Sequence, residues 1–431
     1  MKKTLLILSL FPTLLWAQNP LSPMGVYVAD PSARVVDGRM YVYGSLDEST
    51  HHYCSRRYHL LSSADMRNWT LHENIFHWDD VLYAPDMWTS AGAYYLYFDV
   101  PSGKEYAAVG KTPTGPFEKV TRIEGPKQID PNIFVDDDGQ VYYFWGQFSA
   151  KGARMNPDFV SLDATSITDS IVTEKDHFFH EGSFVFKRGK YYYYTFADIS
   201  RRHRPTCLGY AMSTRPLGPY KYMGVIIDND GCDPQSWNNH GSVVRQGENW
   251  YVLYHRSTHG SRQMRKACIE PITFNADGTI NEVEMTSQGA AGPLDASQRI
   301  DAARACKMRG NVRIRLMQNS TSREELGAIQ PGDSALWRYL DFGNEKRHVA
   351  LRARANAPAT VCLHADTPDG PELARLHFER GEWVVKTVAC KPISGIHALW
   401  MTFEGGTTQD AAGEMMSLDW FTFYGDSRKK K

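Results

Sequence analysis

Several large function classes are excluded by what this 431-residue chain lacks. Cysteine is sparse and scattered: Cys54, Cys207, Cys232, Cys268, Cys306, Cys362 and Cys390, with no C-x-x-C pair. That pattern excludes a cysteine-ligated zinc site of ordinary spacing. The odd count leaves at least one thiol outside any intramolecular disulfide, and the spacing assigns no pairing. Neither sign of charge is in excess, with 48 Lys and Arg against 49 Asp and Glu. Such a balance argues against nucleic acid or an anionic membrane as the main partner. There is no phosphate-binding glycine loop and no nucleophile elbow. His51, His52, His177 and His180 lack metal-ligand spacing. Asp136-Asp137-Asp138-Gly139 lacks the alternation and distal Glu of an EF-hand, and reads as a solvated hairpin turn. Long helical periodicity is missing, and beyond residue 17 no apolar run is long enough to span a bilayer.

The start of the chain carries the one apolar run of note. Lys2 and Lys3 precede Leu5 to Trp16, followed by Ala17. A short basic segment, a short apolar segment and a small residue make the layout of a secretory signal peptide. Residues 1–17 are therefore expected to direct export to the periplasm or beyond, with the mature chain starting at Gln18. The length predicts two domains.

A repeat organises the first of them. A turn residue followed by aromatic and β-branched residues recurs five times. The copies are MYVYGS after Gly38, YYLYF after Gly92, VYYFWG after Gly139, YYYYTF after Gly189, and WYVLYH after Gly247-Glu248. Each reads as a hairpin turn feeding a strand. Spacings of about fifty residues with several strands per repeat are the signature of propeller blades. The expected fold is all-β: a five-bladed β-propeller over residues 22–290, followed by a jelly-roll-like β-sandwich.

A polar residue precedes each hairpin by six to nine positions: Asp30, Asp86, Asp130, Glu181 and His240. In a propeller the innermost strands line the axis, so equivalent positions should converge at one funnel. Several carboxyls gathered there repel one another, which keeps one protonated while another stays ionised. Two carboxyls facing a sugar are the core of glycoside hydrolysis. The bland alternative for each Asp is a turn residue that bonds its own backbone; the matched offsets favour function for the set.

At these residues the chain resembles glycoside hydrolase family 43. The matching segments are ADPSARVVDGRMYVYGS, YAPDMW, IDPNIFVDDDGQVYYFWG, HEGSFVFKRGKYYYY and NNHGSVVRQGENWYVLYHR. The resemblance runs from about Val26 to Gly289 and itself implies a five-bladed propeller and an inverting mechanism. It implies that Asp30 is the general base, Glu181 the general acid, and Asp130 the carboxylate that orients the acid and raises its pKa. It implies that His240 lies near the pore axis, where a structural calcium ion could be held. No cofactor is required for the chemistry. Asp86, Trp88 and Arg256 fall where substrate could be contacted, and Tyr83 stands where the family often has Trp.

Residues 286–297 (TSQGAAGPLDAS) read as a domain boundary. From 298 to 425 short alternating strands such as TVCLHAD, EWVVKTV and HALWMTF suggest an antiparallel sandwich. GDSALWRYLDFG, GEWVVKTV, GIHALWMTFEGG and LDWFTF resemble a family 6 carbohydrate-binding module. Trp337, Trp383, Trp400 and Trp420 are its candidate sugar platforms, with buried core the competing role for each. The acidic metal site near such a module's start is missing from RIDAARACKM. The basic tail Arg428 to Lys431 reads as a disordered end.

The expected partner is a polysaccharide or oligosaccharide. The expected activity is exo-acting removal of pentose side chains, with α-L-arabinofuranosidase ahead of β-D-xylosidase. A galactose- or galactofuranose-active hydrolase is an alternative. Two other classes compete: a non-catalytic carbohydrate-binding protein, which would lack a catalytic carboxylate, and a protein-interaction platform, which would need no axial acids.

Overall fold

Asp37 and Gly38 both have positive φ (48° and 75°), as do Ala91 and Gly92 (50° and 78°). Two consecutive left-handed residues match the twist of the flanking strands and close a tight hairpin. A Cβ at any of the five repeat glycines would meet nothing within 4 Å, so backbone conformation, not space, calls for glycine there. Each hairpin joins an innermost strand to its neighbour, and five antiparallel sheets result.

The computed structural model describes residues 15–16, 18–406 and 413–426. Blade 1 holds Val28–Val36, Arg39–Leu46, Ser55–Ser63 and Asn68–Leu82. Blade 2 holds Asp86–Ser90, Ala93–Asp99, Glu105–Gly110 and Phe117–Ile123. Blade 3 holds Asn132–Val135, Val141–Trp145 and Lys151–Met155. Blade 4 holds Phe179–Arg188, Tyr191–Asp198, Cys207–Ser213 and Lys221–Asp228. Blade 5 holds Ser242–Gln246, Asn249–Arg256 and Lys266–Ile272. Within each blade the strands pair in chain order. Blades 3 and 5 have three strands rather than four, and isolated bridges such as Gly152–Thr168 and Phe274–Ile280 extend them. The aromatic runs pack within and between blades: Phe186 stacks on Tyr193 across blade 4 at 4.6 Å, and Tyr193 meets Phe274, which follows blade 5, edge-on at 5.8 Å.

The second unit is a sandwich of two six-stranded sheets. Its core includes Trp337, Leu351, Phe403, Phe421 and Phe423, all essentially sealed from solvent. Trp337 is fully buried and donates its indole N–H to the Ala302 carbonyl, and Trp400 is buried too. These two are core, not platforms. Trp383 and Trp420 are half-buried, and guanidinium groups lie over them: Arg352 and Arg354 over Trp383, and Arg299 over Trp420.

All seven cysteines are buried and unpaired. Of the expected export segment only Leu15–Trp16 is described, pairing with Trp69 and Asn68 at the edge of blade 1. The rest, like the basic tail, lies outside the described residues. No described helix is long and apolar enough to cross a membrane.

Candidate active site

The innermost strands of blades 1 and 4 are irregular where they reach the axis. Pairing slips between Ala29 and Ser32, and again between Phe179, Glu181 and Phe184. Bulges of this kind re-aim side chains. Asp30 (φ 49°), in the blade 1 bulge, and Asp130 (φ 61°), just before the inner strand of blade 3, take left-handed conformations. Strained backbone of this kind persists only where surrounding structure over-determines it.

One cavity of about 380 Å³ gathers Asp30, Asp130, Glu181 and His240. Tyr53, Cys54, Tyr83, Gln147, Trp237, Arg262 and Arg265 complete much of its wall. Asp30 and Asp130 are 5 % exposed and Glu181 is 8 %, so all three are nearly dehydrated yet open to the same space.

Their surroundings differ. Burial alone would raise the Asp30 carboxyl, but Arg265, His240, His255 and the Ser45 hydroxyl outweigh it and hold it below the usual range. Arg265 Nη1 donates to Asp30 Oδ1 at 2.6 Å, and Ser45 donates to Oδ2 at 2.8 Å. Asp130 has no such cation. Burial, then the charges of Glu181 and Asp30, push its carboxyl well above the ordinary range. Its Oδ2 accepts the Gly182 N–H at 2.9 Å, which ties it to the backbone next to Glu181. Glu181 lies between two amides: Gln147 donates to Oε2 at 2.9 Å and Asn238 to Oε1 at 3.2 Å. Gly182 (φ 81°) lets His240 close over the strand, since a Cβ would sit 3.0 Å from the imidazole.

Three residues expected against substrate lie elsewhere. Asp86 is six residues before its turn glycine, whereas Asp30 and Glu181 are eight. Two residues is one full period of a strand, so Asp86 faces the axis one step deeper. Ala84 holds the eighth position and lines the cavity instead. Asp86 is sealed in a clamp joining blades 1 to 3. It is ion-paired to Arg34 and accepts from Ser32 at 2.6 Å, Asn132 at 2.8 Å and the Ile133 N–H at 2.9 Å. Trp88 lies further along the same strand and lines a separate cavity with Arg34, Phe134 and Phe184, at the opposite end of the innermost strands. Arg256 is buried within blade 5, donating to the Tyr254 hydroxyl at 3.0 Å and the Thr286 carbonyl at 2.6 Å.

His240 does line the cavity, with Nδ1 3.7 Å from Asp30 Oδ1. Burial holds its imidazole below the usual range. Calcium needs a cage of oxygen donors. Here the Asp30 oxygens are taken by Arg265 and Ser45, and the buried guanidinium opposes a second cation. Among the described residues no three His, Cys, Asp or Glu are grouped to hold a metal. These residues do not fit a directly held calcium ion.

The sequence offered no signal for Arg265, which reaches Asp30 from 235 positions away. Nor did it single out a carboxyl pair behind Asp130. Asp99 accepts the Asp130 N–H at 3.2 Å and is paired across blade 2 with Glu105. Both are fully buried. Burial raises Glu105 from 4.5 to about 8, against the opposing hydrogen bond from Tyr143 at 2.7 Å. The folded state therefore binds the extra proton between pH 4.5 and about 8, and stability falls as pH rises through that window. Glu105→Gln keeps the acceptor for Tyr143 and removes the titration. The expected result is a Tm that loses several degrees between pH 5 and 8 in the wild type and much less in the variant. The full shift corresponds to on the order of 5 kcal/mol; parallel Tm–pH curves would refute the assignment.

The model of glycosyl hydrolases family 43 matches residues 17–280. The chain belongs to this family. A carbohydrate binding module of family 6 matches residues 301–425. The protein is thus a glycoside hydrolase on a five-bladed propeller with an appended module. A xylosidase/arabinosidase of Thermoclostridium stercorarium is 27 % identical, covering 90 % of this chain and 96 % of its own. An arabinoxylan arabinofuranohydrolase of Bacillus subtilis (strain 168) is 26 % identical, covering 92 % and 90 %. Among solved structures, the family 43 subfamily 1 enzyme of Xanthomonas citri superposes with a TM-score of 0.56 at 26 % identity, over 65 % of this chain and 96 % of that one.

Proposed function

We propose that this family 43 hydrolase is an inverting, exo-acting α-L-arabinofuranosidase that trims side groups from arabinoxylan-type polysaccharide or its oligosaccharides. The electrostatic division of one cavity carries the reading. Asp30 is held low opposite Arg265, while burial and the neighbouring carboxyls push Asp130 well above the ordinary range.

In this reading Asp30 takes a proton from water. The water oxygen bonds to the anomeric carbon on the face opposite the leaving group. Glu181 gives its proton to the glycosidic oxygen as the carbon–oxygen bond breaks. One water is consumed, the anomeric configuration inverts, and the two carboxyls reset by exchange with solvent. Asp130 does not touch the reacting atoms; through the Gly182 N–H it positions Glu181. A cavity of about 380 Å³ is small enough to favour removal of terminal sugars. The relatives, xylosidases and arabinofuranosidases, support a pentose, and they also support a second reading, β-D-xylosidase: a β-xylosidase of Xylanibacter ruminicola is 27 % identical over 60 % of this chain. We infer export from the layout of residues 1–17.

The test is sugar release from aryl α-L-arabinofuranoside, β-D-xylopyranoside, β-D-galactopyranoside and β-D-galactofuranoside, with Asp30→Asn as the blank. Release from the arabinofuranoside alone, lost in the variant, supports the reading. Faster release from another glycoside reassigns the sugar. Equal release by the blank refutes the active site.

A further inference from the structure

The segment 257–265 joins the last two strands of blade 5, and its two sides do different things. Toward the cavity, Arg265 donates from Nη1 to Asp30 and from Nε and Nη2 to Asp47 at 2.8 and 2.9 Å. Its own backbone N–H also binds Asp47, at 3.0 Å. Arg262 lies over the Trp237 ring at 4.0 Å, forming another part of the cavity wall.

Away from the cavity, the same segment is held by the sandwich. The His259 N–H donates to the Ile314 carbonyl at 2.7 Å, and its Nε2 accepts the Leu316 N–H at 3.1 Å. Gly260 abuts Arg313 so closely that a Cβ would fall 2.2 Å from a guanidinium nitrogen. Lys266 Nζ donates to both oxygens of Glu324, at 2.8 and 2.7 Å, with both side chains 2 % exposed. The Tyr27 ring lies 5.2 Å from that ammonium and meets His259 edge-on at 5.3 Å. Adjacent residues in extended chain point to opposite sides. Thus Arg265 faces Asp30 while Lys266 faces the sandwich, one peptide bond apart.

We propose that the carbohydrate-binding module is a positioning part of the active site. Its docking through Glu324, Ile314 and Leu316 fixes segment 257–266, and with it Arg265 against Asp30 and Arg262 against Trp237. The module then governs turnover of substrates too small to reach any sugar-binding surface of its own. The inference rests on the reading of Asp30 as the base.

The experiment uses full-length protein and an aryl α-L-arabinofuranoside. Glu324→Leu leaves the Lys266 charge buried without its partner, whereas Lys266→Met/Glu324→Leu replaces the pair with apolar groups, a change that buried ion pairs often tolerate. Release of Arg265 from Asp30 raises the Asp30 carboxyl. Glu324→Leu is therefore expected to lower kcat about tenfold and move the acidic limb of the pH profile up by about one unit. The double variant is expected to restore both. His259→Ala, which removes the bond to Leu316 but buries no charge, is the second probe should Glu324→Leu not fold, and the same upward shift is expected. If folded Glu324→Leu or His259→Ala keeps the wild-type kcat and limb while Asp30→Asn is inactive, the positioning role is overturned. If Asp30→Asn is itself active, the base assignment has failed instead.

Discussion

Asp30→Asn is expected to lower kcat by roughly 10²–10⁴-fold, the range for losing a general base. The substitution keeps size and shape and removes the charge that accepts water's proton. Folding is expected to survive for two reasons. Asn tolerates positive φ better than most residues, and residue 30 has φ 49°. Arg265 loses one anionic partner but keeps Asp47, which it contacts at three points. The Asp30 N–H, which reaches His255 Nδ1 at 3.2 Å, is unchanged. Circular dichroism would establish the fold, and initial rates on the arabinofuranoside would read the effect. A folded variant with wild-type kcat would remove Asp30 from the mechanism. In the wild type, because Arg265 and the two histidines hold Asp30 low, activity is expected to persist into acid and fail only as pH drops below the ordinary carboxylate range.

Glu181→Gln is expected to cost a similar factor, roughly 10²–10⁴-fold, but only for leaving groups that need a proton. An alkyl or sugar leaving group departs poorly as an anion. A strongly acidic phenol departs without help. The variant should therefore be nearly silent on arabino-oligosaccharides and far less impaired on a dinitrophenyl glycoside. The fold should hold, since a Gln at 181 can still accept from one of the two amides that flank the carboxylate. Uniform loss across leaving groups would point to disturbed binding, and no loss would end the acid assignment. Together the two variants separate the halves of the reaction, water activation and leaving-group departure.

The propeller was legible because its cause is local. Each hairpin needs a left-handed turn and a strand-forming run, and both are written in ten contiguous residues, as in Asp37-Gly38 before MYVYGS. Counting back from the turns also located Asp30 and Glu181, both eight residues before their glycines, because strand periodicity carries side-chain direction along the chain; Asp130, nine before its glycine, precedes a strand that ends in a longer turn. The same count misread Asp86. An offset shorter by two residues preserves the direction toward the axis and changes the depth, so Asp86 becomes a clamp among blades and Ala84 takes the cavity wall. Trp88 followed the same strand toward the far end. Arg256, expected against substrate, is buried inside blade 5, where it donates to Tyr254 and Thr286.

By itself, then, the sequence determined the all-β class, the five-fold repeat, the family and the three carboxyls that meet at one cavity. These depend on dihedral preference and period-two alternation, which act between neighbours in the chain. Only the tertiary structure set the Asp30 and Asp130 carboxyls apart in acidity, because that depends on burial and on charges delivered from afar. Arg265 and Asp30 meet only when blade 5 closes against blade 1, and the Asp130 carboxyl is pushed up because folding strips its water and sets Glu181 and Asp30 beside it. Only the tertiary structure, likewise, set Lys266 against Glu324 and so joined the module to the loop behind the catalytic cavity. Electrostatic energy depends on distance in space, and the chain does not encode that distance until it has folded.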